Sequence, residues 1–268
     1  MTNGMEKPLV LNAFDDEMQD EYFMSLCPEL ECVAQRSKRP RTMLGGSSGV
    51  VAESIDTAVV GPSLVVFDEM LSDDDKQDAL DSQQFAEAVV SLLPKGTSNE
   101  ERYLKYNEAL LAVGWVTESF TYKRYVSEQF TLTMNEAVLQ VLETVISGAS
   151  GNVLNMVASG FSKLKGDKDA LKIVDSGSKK NDVVSFKAVP CIAVKGGGMA
   201  MLTGGLDLVD KEYNGNFLFV TYKTQGLKIF QAAGVRKFNR RAFDRKRNMV
   251  YAYNDKNADG LFKKVTGE

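Results

Sequence analysis

Histidine is absent from all 268 residues, which removes the usual general base near neutral pH and the commonest catalytic zinc ligand. No Ser-His-Asp or Cys-His relay, no HExxH helix and no histidine pH switch can be built from this chain. Any catalysis is left to carboxylates, lysines, tyrosines and hydroxyls. Cysteine is scarce: Cys27, Cys32 and Cys191 form no CxxC pair and no dense even set, so neither a structural zinc site nor the disulfide framework of a small secreted domain is implied. Long apolar runs are missing too, none reaching the roughly 18 residues of a membrane-spanning helix. The opening MTNGMEKPLVLNAFDDEMQDE puts acids where a Sec signal peptide needs a basic n-region. The expectation is synthesis in the cytoplasm without a Sec-type leader, with any export or delivery to a host cell using another route.

What is present is an asymmetry of charge. Residues 1–94 hold 6 Lys/Arg against 18 Asp/Glu, a net of −12, and the remaining chain carries +8. An acidic head on a basic body can shield the basic surface or be a solvated tail. The overall acidity, with a pI near 5.2, argues against nucleic acid as the partner.

Residues 1–80 show short apolar patches between Gly/Ser/Pro and acidic clusters, without a sustained period of 3.6 or 2, and read as an acidic, mostly disordered or docked arm. Within it, Asp56 to Leu71 is expected to lie against the body as an edge strand. Residues 81–268 read as a single α+β domain, with a helical half at 81–176 and an antiparallel sheet plus last helix at 177–268. Asp81 with Gln84 suggests a capping box, Ser98 or Thr97 a second cap, and Thr133 with Glu136 a third. Gly114 supplies a left-handed stop before the alternating strand pattern of WVTESFTYKRY. Several apolar segments follow between 183 and 231, with Asn214-Gly215 as a hairpin turn. A last helix starts at Asn239, stapled by Phe238 and Phe243. The predicted architecture is an antiparallel meander covered on one face by helices.

Few segments carry chemistry. Gly45 to Gly49 fits GxSxG, but a nucleophile elbow needs a histidine base. Neither LGGSSG nor GGGMAMLTGG fits a phosphate loop, and Ser162 to Lys165, an SxxK match, reads as a helix end. Asp255, Asn257 and Asp259 with Gly260 reproduce the front of a calcium loop, yet its twelfth position is Thr266 instead of glutamate. Calcium is therefore the one cofactor the sequence suggests, against a plain polar turn. Arg36, Lys38, Arg39 and Arg41 resemble a localisation patch.

The densest cluster is Arg236, Lys237, Arg240, Arg241, Arg245, Lys246 and Arg247, relieved only by Asp244. Positive charge at a helix N-terminus opposes the helix dipole, so the cluster reads as a lipid- or anion-binding face, as a partner for the acidic arm, or as a solvated surface. Thr144 to Ser162 has no charged residue and reads as a packed helical hairpin, or, if released, as an element entering a bilayer interface.

The runs LLPKGTSNEERYLKYNEALLAVGW, TLTMNEAVLQVL and IFQAAGVRKFNRRAF resemble bacterial virulence- and toxin-associated proteins of the Evf type. The resemblance spans about residues 85–268 and brings no catalytic motif or active-site residue. It implies a non-enzymatic, virulence or toxin-like protein acting at membranes through the basic helix and the uncharged hairpin. The alternative is a soluble cargo or interaction module, recognised through residues 1–80 by a secretion or packaging apparatus and binding a protein partner. Carboxylate-based catalysis would need converging acids, which sequence does not reveal.

Overall fold

Ser63 to Phe67 and Met199 to Leu208 are buried at every position, the signature of strands covered on both faces instead of one. The computed structural model describes residues 56–127, 129–146, 151–180, 182–195, 197–209, 217–224, 227–257 and 262–264, together with Tyr22 and Ser25. Its strands are β1 (Thr57–Val60), β2 (Ser63–Phe67), β3 (Trp115–Arg124), β4 (Thr131–Thr133), β5 (Lys179–Lys180), β6 (Val183–Ala193), β7 (Met199–Val209), β8 (Thr221–Lys223), β9 (Lys228–Phe238) and β10 (Phe262–Lys264). The main sheet runs β10-β1-β2-β6-β7-β9-β3, with β5 also paired to β6, while β4 and β8 form a separate ribbon. Of the pairings, only β2 with β6 is parallel. The α+β class with a mostly antiparallel sheet therefore holds.

Six helices are described: α1 (Asp73–Ser91), α2 (Asn99–Ala112), α3 (Met134–Glu143), α4 (Gly151–Gly166), α5 (Lys168–Ser178) and α6 (Arg240–Asn257). They cover both faces, which corrects the one-sided packing expected from the sequence. Alternate strand residues feed two separate cores. Val60, Val65, Val189 and Met201 join Phe85, Leu110, Trp115 and Phe243 beneath α1, α2 and α6. Val59, Leu64, Val66, Phe186 and Leu202 join Val138, Leu142, Val157 and Leu164 beneath α3, α4 and α5. Consecutive glycines in β7 let both layers close in, since a Cβ at Gly204 would stand 2.5 Å from Leu142 Cγ, and one at Gly205 would meet the Tyr103 hydroxyl.

Residues 56–80 of the acidic segment belong to this body. β1 and β2 turn on Gly61-Pro62, with Gly61 at φ 53, and β2 lies between β1 and β6. It is an interior strand, not an edge, because SLVVF has apolar side chains for both cores. The Asp73-Asp74-Asp75 run is the first turn of α1, with Ser72 as its cap, where negative charge complements the helix dipole. Asp81 is consequently buried mid-helix, where its carboxylate accepts from Gln77, so it caps nothing. The other start signals hold. Ser98 and Glu101 form the capping box of α2, Glu136 accepts from the Thr133 backbone and hydroxyl at α3, and Gly114 sits at φ 90. The pairs of apolar segments at 183–195 and 199–209 merge into single long strands, and the stretch from 217 to 222 is mostly a 3-10 turn with β8 after it.

Candidate functional site

The start of α6 is built as its sequence implies. Asn239 Oδ1 accepts from the Ala242 amide at 3.2 Å, and the Phe238 and Phe243 rings pack with centroids 5.5 Å apart. The basic residues on it, however, do not form one face. Arg240 reaches Asp75 and Asp78, with Nη1 3.0 Å from Asp78 Oδ2. Arg247 donates to both Asp78 oxygens, at 2.9 Å to Oδ2, and to Asp244 at 2.7 Å. The Asp78 side chain is 1% exposed, and burial pushes its carboxyl above the usual range, against the hydrogen bond and charge of Arg247. Burial works against the Arg247 charge as well, but hydrogen bonds to Asp78, Asp244 and Tyr251 more than offset it and hold the guanidinium above its ordinary value. The acidic head and the basic helix thus meet as an α1–α6 latch.

The rest of the cluster divides further. Arg236 is fully buried and donates to Thr203 Oγ1 at 2.7 Å and to Asn107, with its guanidinium 5.5 Å from the Tyr106 ring centre. Lys246 is buried, and Lys237 pairs with Glu118 at 2.5 Å. Arg241 and Arg245 remain exposed. The seven-residue anion surface expected from the sequence is corrected on this geometry: alternation along β9 turns Arg236 inward, and the 3.6-residue period of α6 turns Arg240, Lys246 and Arg247 toward α1 and the core.

The double change Arg240→Ala with Arg247→Ala leaves the Asp78 carboxylate buried and unpaired, and is expected to cost about 3 kcal/mol in urea unfolding. Exposed Arg241→Ala should stay within about 0.5 kcal/mol. A double variant as stable as the native chain would show that the latch holds nothing.

The other sequence candidates fall apart in space. Asp255 and Asn257 lie in the last turns of α6, two residues apart, where helical side chains do not face each other, and the Asn257 amide donates to the Tyr253 carbonyl at 3.0 Å. Asp259 lies outside the described residues, as do Arg36, Lys38, Arg39, Arg41, Cys27, Cys32, the GxSxG segment and Asn214-Gly215. No group of acids and cysteines suited to a metal occurs among the described residues. Cys191 is buried, and burial pushes its thiol up, which makes it unreactive.

Of the uncharged segment, residues 144–146 follow the end of α3 and 151–162 open α4, while 147–150 lie outside the described residues. Val153, Val157 and Phe161 point inward, and a Cβ on Gly160 would stand 2.5 Å from Val66 Cγ1. Its free edge borders a groove of about 540 Å³, with Val145, Ile146 and Val153 on one side and Leu202, Ala233 and Val235 as floor. Among the described residues no helix is long and apolar enough to cross a membrane.

A surface that sequence reading missed lies where β3 ends and the β4–β8 ribbon begins. Val126 is 79% and Phe130 66% exposed. The strand is paired through Arg124 opposite Phe230, the Tyr125 amide donates to Ile229, and the Thr224 amide donates to the Phe130 carbonyl, both near 3 Å. The two loops are thereby clamped together. Lys123, Arg124, Lys223 and Lys228 are exposed at the strand ends that lead into these loops, with no ion pair to any described residue. The signal was in KRYVSEQF, an apolar pair beside two cations, but its partner cations sit about a hundred residues away in sequence.

No family model matches the chain, and no curated protein does. Among solved structures it is similar to the activated Cyt2Ba monomer from Bacillus thuringiensis subsp. israelensis, with a TM-score of 0.40 and 14% identity over 65% of this chain and 97% of that one. It is similar to a delta-endotoxin, with a TM-score of 0.40 and 14% identity over 67% and 84% of the two chains. It is also similar to the Evf virulence factor, with a TM-score of 0.34 and 13% identity over 92% and 91%. The Evf type that the sequence resembles is thus among the structures this chain is similar to.

Proposed function

We propose that this is a non-enzymatic, toxin-like protein that acts at anionic membranes, first touching them through the Val126–Phe130 tip. The observation that carries this reading is an exposed aromatic and an exposed valine on clamped loops, with four exposed cations at the strand ends that lead into them. Exposed apolar groups flanked by such cations match a bilayer surface, where the ring enters the interface and the lysines meet head-group phosphates. The basic helix plays a later part here. Arg240, exposed but paired, and Arg247 are held by Asp75 and Asp78, and opening of that latch would free both charges for lipid. The uncharged part of α4 likewise has its apolar side in the core and would have to leave it before insertion.

Co-sedimentation of the full chain with phosphatidylglycerol-containing and purely phosphatidylcholine vesicles tests this. Binding is expected to the anionic vesicles alone and to fall with salt. A cation near such a surface contributes about 1 kcal/mol, so changing Lys123, Arg124, Lys223 and Lys228 together to Glu should weaken binding by at least about 100-fold. Dye leakage would extend docking to toxin-like action. Equal pelleting of the native and charge-reversed chains, or none by either, would remove the membrane reading and leave the cargo or interaction module.

A further inference from the structure

A polar cleft on the α1–α2 face reaches outward to Phe230, the strand partner of Arg124. Its outer chamber, of about 330 Å³, is lined by Lys95, Asn99, Arg102, Tyr122, Asp182 and Phe230. Its inner chamber, of about 30 Å³, is lined by Glu87, Tyr103, Ser185, Lys187 and Asp207, and again by Asn99 and Arg102. The walls are set in advance. Arg102 donates to the Pro94 carbonyl at 2.9 Å and the Thr97 carbonyl at 3.2 Å, fixing the loop at the mouth. Tyr122 donates to Asp207 Oδ2 at 2.8 Å, and its ring stacks on Phe230 at 5.8 Å and 6°.

Two buried polar atoms in the inner chamber make no close hydrogen bond among the described residues, the Tyr103 hydroxyl and Asp207 Oδ1, although the Ser185 and Asn99 side chains stand near enough to the Asp207 carboxylate to favour its charged form. Buried groups of this kind are normally satisfied. Burial holds the Tyr103 phenol well above its ordinary pKa, so it stays a donor. The chamber walls bring three cations, Lys95, Arg102 and Lys187, and three acids, Glu87, Asp182 and Asp207. An ionic ligand would meet its own sign as often as the opposite one. A neutral hydroxyl can donate to Asp207 Oδ1 and accept from Tyr103, and the stacked rings offer an apolar wall beside them.

We propose that this cleft binds a neutral saccharide ring, its C–H face on the Tyr122–Phe230 pair and one hydroxyl reaching between Tyr103 and Asp207. The inner chamber is too small for more than a hydroxyl or hydroxymethyl group, so the ring itself occupies the outer one. The site stands independently of membrane docking. The same sugar chemistry is met in a free saccharide and in a glycolipid head group.

The test is calorimetric titration of the full chain with methyl glucoside, methyl galactoside and N-acetylglucosamine. Saturable binding of at least one is expected, with Kd on the order of 1 mM. Asn99→Ala, which removes the side-chain amide lining both chambers where the ring meets the inner one, and Phe230→Leu should each weaken it about 10-fold, as loss of one hydrogen bond or of one flat wall does, with unfolding midpoints unchanged. Phe230→Leu keeps apolar bulk and serves where a smaller residue would disturb the sheet. Neutral vesicles carrying glucosylceramide or galactosylceramide separate the sources. Recruitment competed by free glycoside assigns the head group, while free-sugar binding without recruitment assigns a soluble saccharide. No saturable binding of any of the three sugars, or binding unaltered in both variants, would overturn the assignment, whatever the anionic vesicles show.

Discussion

Lys187→Met is expected to destabilise the fold by about 3–5 kcal/mol, because it strands the buried Glu87 carboxylate. In the native chain Lys187 Nζ lies 2.8 Å from Glu87 Oε1, with both side chains buried. The ammonium stands 4.7 Å from the Tyr106 ring centre, and Ser63 Oγ donates to Glu87 at 2.7 Å. Taking both charges from water is costly, so the pair owes its tolerance to mutual neutralisation. Removing one member leaves desolvation with nothing to offset it. The pair ties β2, α1 and β6 together, and a loss of this size is a large share of a typical stability of about 5–15 kcal/mol. The double change Glu87→Leu with Lys187→Met should recover most of the loss, apart from about 1 kcal/mol for the Ser63 hydroxyl left without its acceptor. Urea unfolding of the two single variants and the double one checks this. A Lys187→Met protein within 1 kcal/mol of native would mean that water reaches the pair and that the carboxylate is not stranded.

Changing Val126 and Phe130 together to Asp should reduce binding to phosphatidylglycerol vesicles by roughly 100-fold or more. Burying a Phe or Val side chain is worth about 1.5–3 kcal/mol, and two aspartates add repulsion from an anionic surface. Since both side chains are exposed in the folded chain, the thermal midpoint should hardly move. That separation of binding from stability is the diagnostic. A variant that binds as well as native would assign the apolar tip no role, even if charge reversal of the four strand-end cations had an effect.

Local signals in the sequence were reliable where local physics sets the outcome. The caps at Ser98 and Asn239, the Thr133–Glu136 box, the Gly114 stop and the Phe238–Phe243 staple involve groups within five residues of one another, so their geometry is written in their spacing. The capping box assigned to Asp81 failed because Ser72, nine residues earlier, had already started the helix. Helix and strand signals gave the α+β class, while composition was less informative. It set the end of the arm too late, at residue 80, because a run such as Asp73-Asp74-Asp75 looks the same in a solvated tail and in a helix's first turn.

What the sequence determined by itself is what depends on neighbours along the chain: the helix starts and stops, the strand periodicity and the excluded chemistries. What only the tertiary structure decided depends on pairs far apart. β2 joins β6 across more than a hundred residues, Asp78 meets Arg240 and Arg247, and Arg236 turns inward to Thr203 and Asn107. A side chain's charge is fixed by its identity, but whether that charge is buried, paired or offered to a partner is fixed by which distant segment packs against it, and periodicity along one segment carries no information about that.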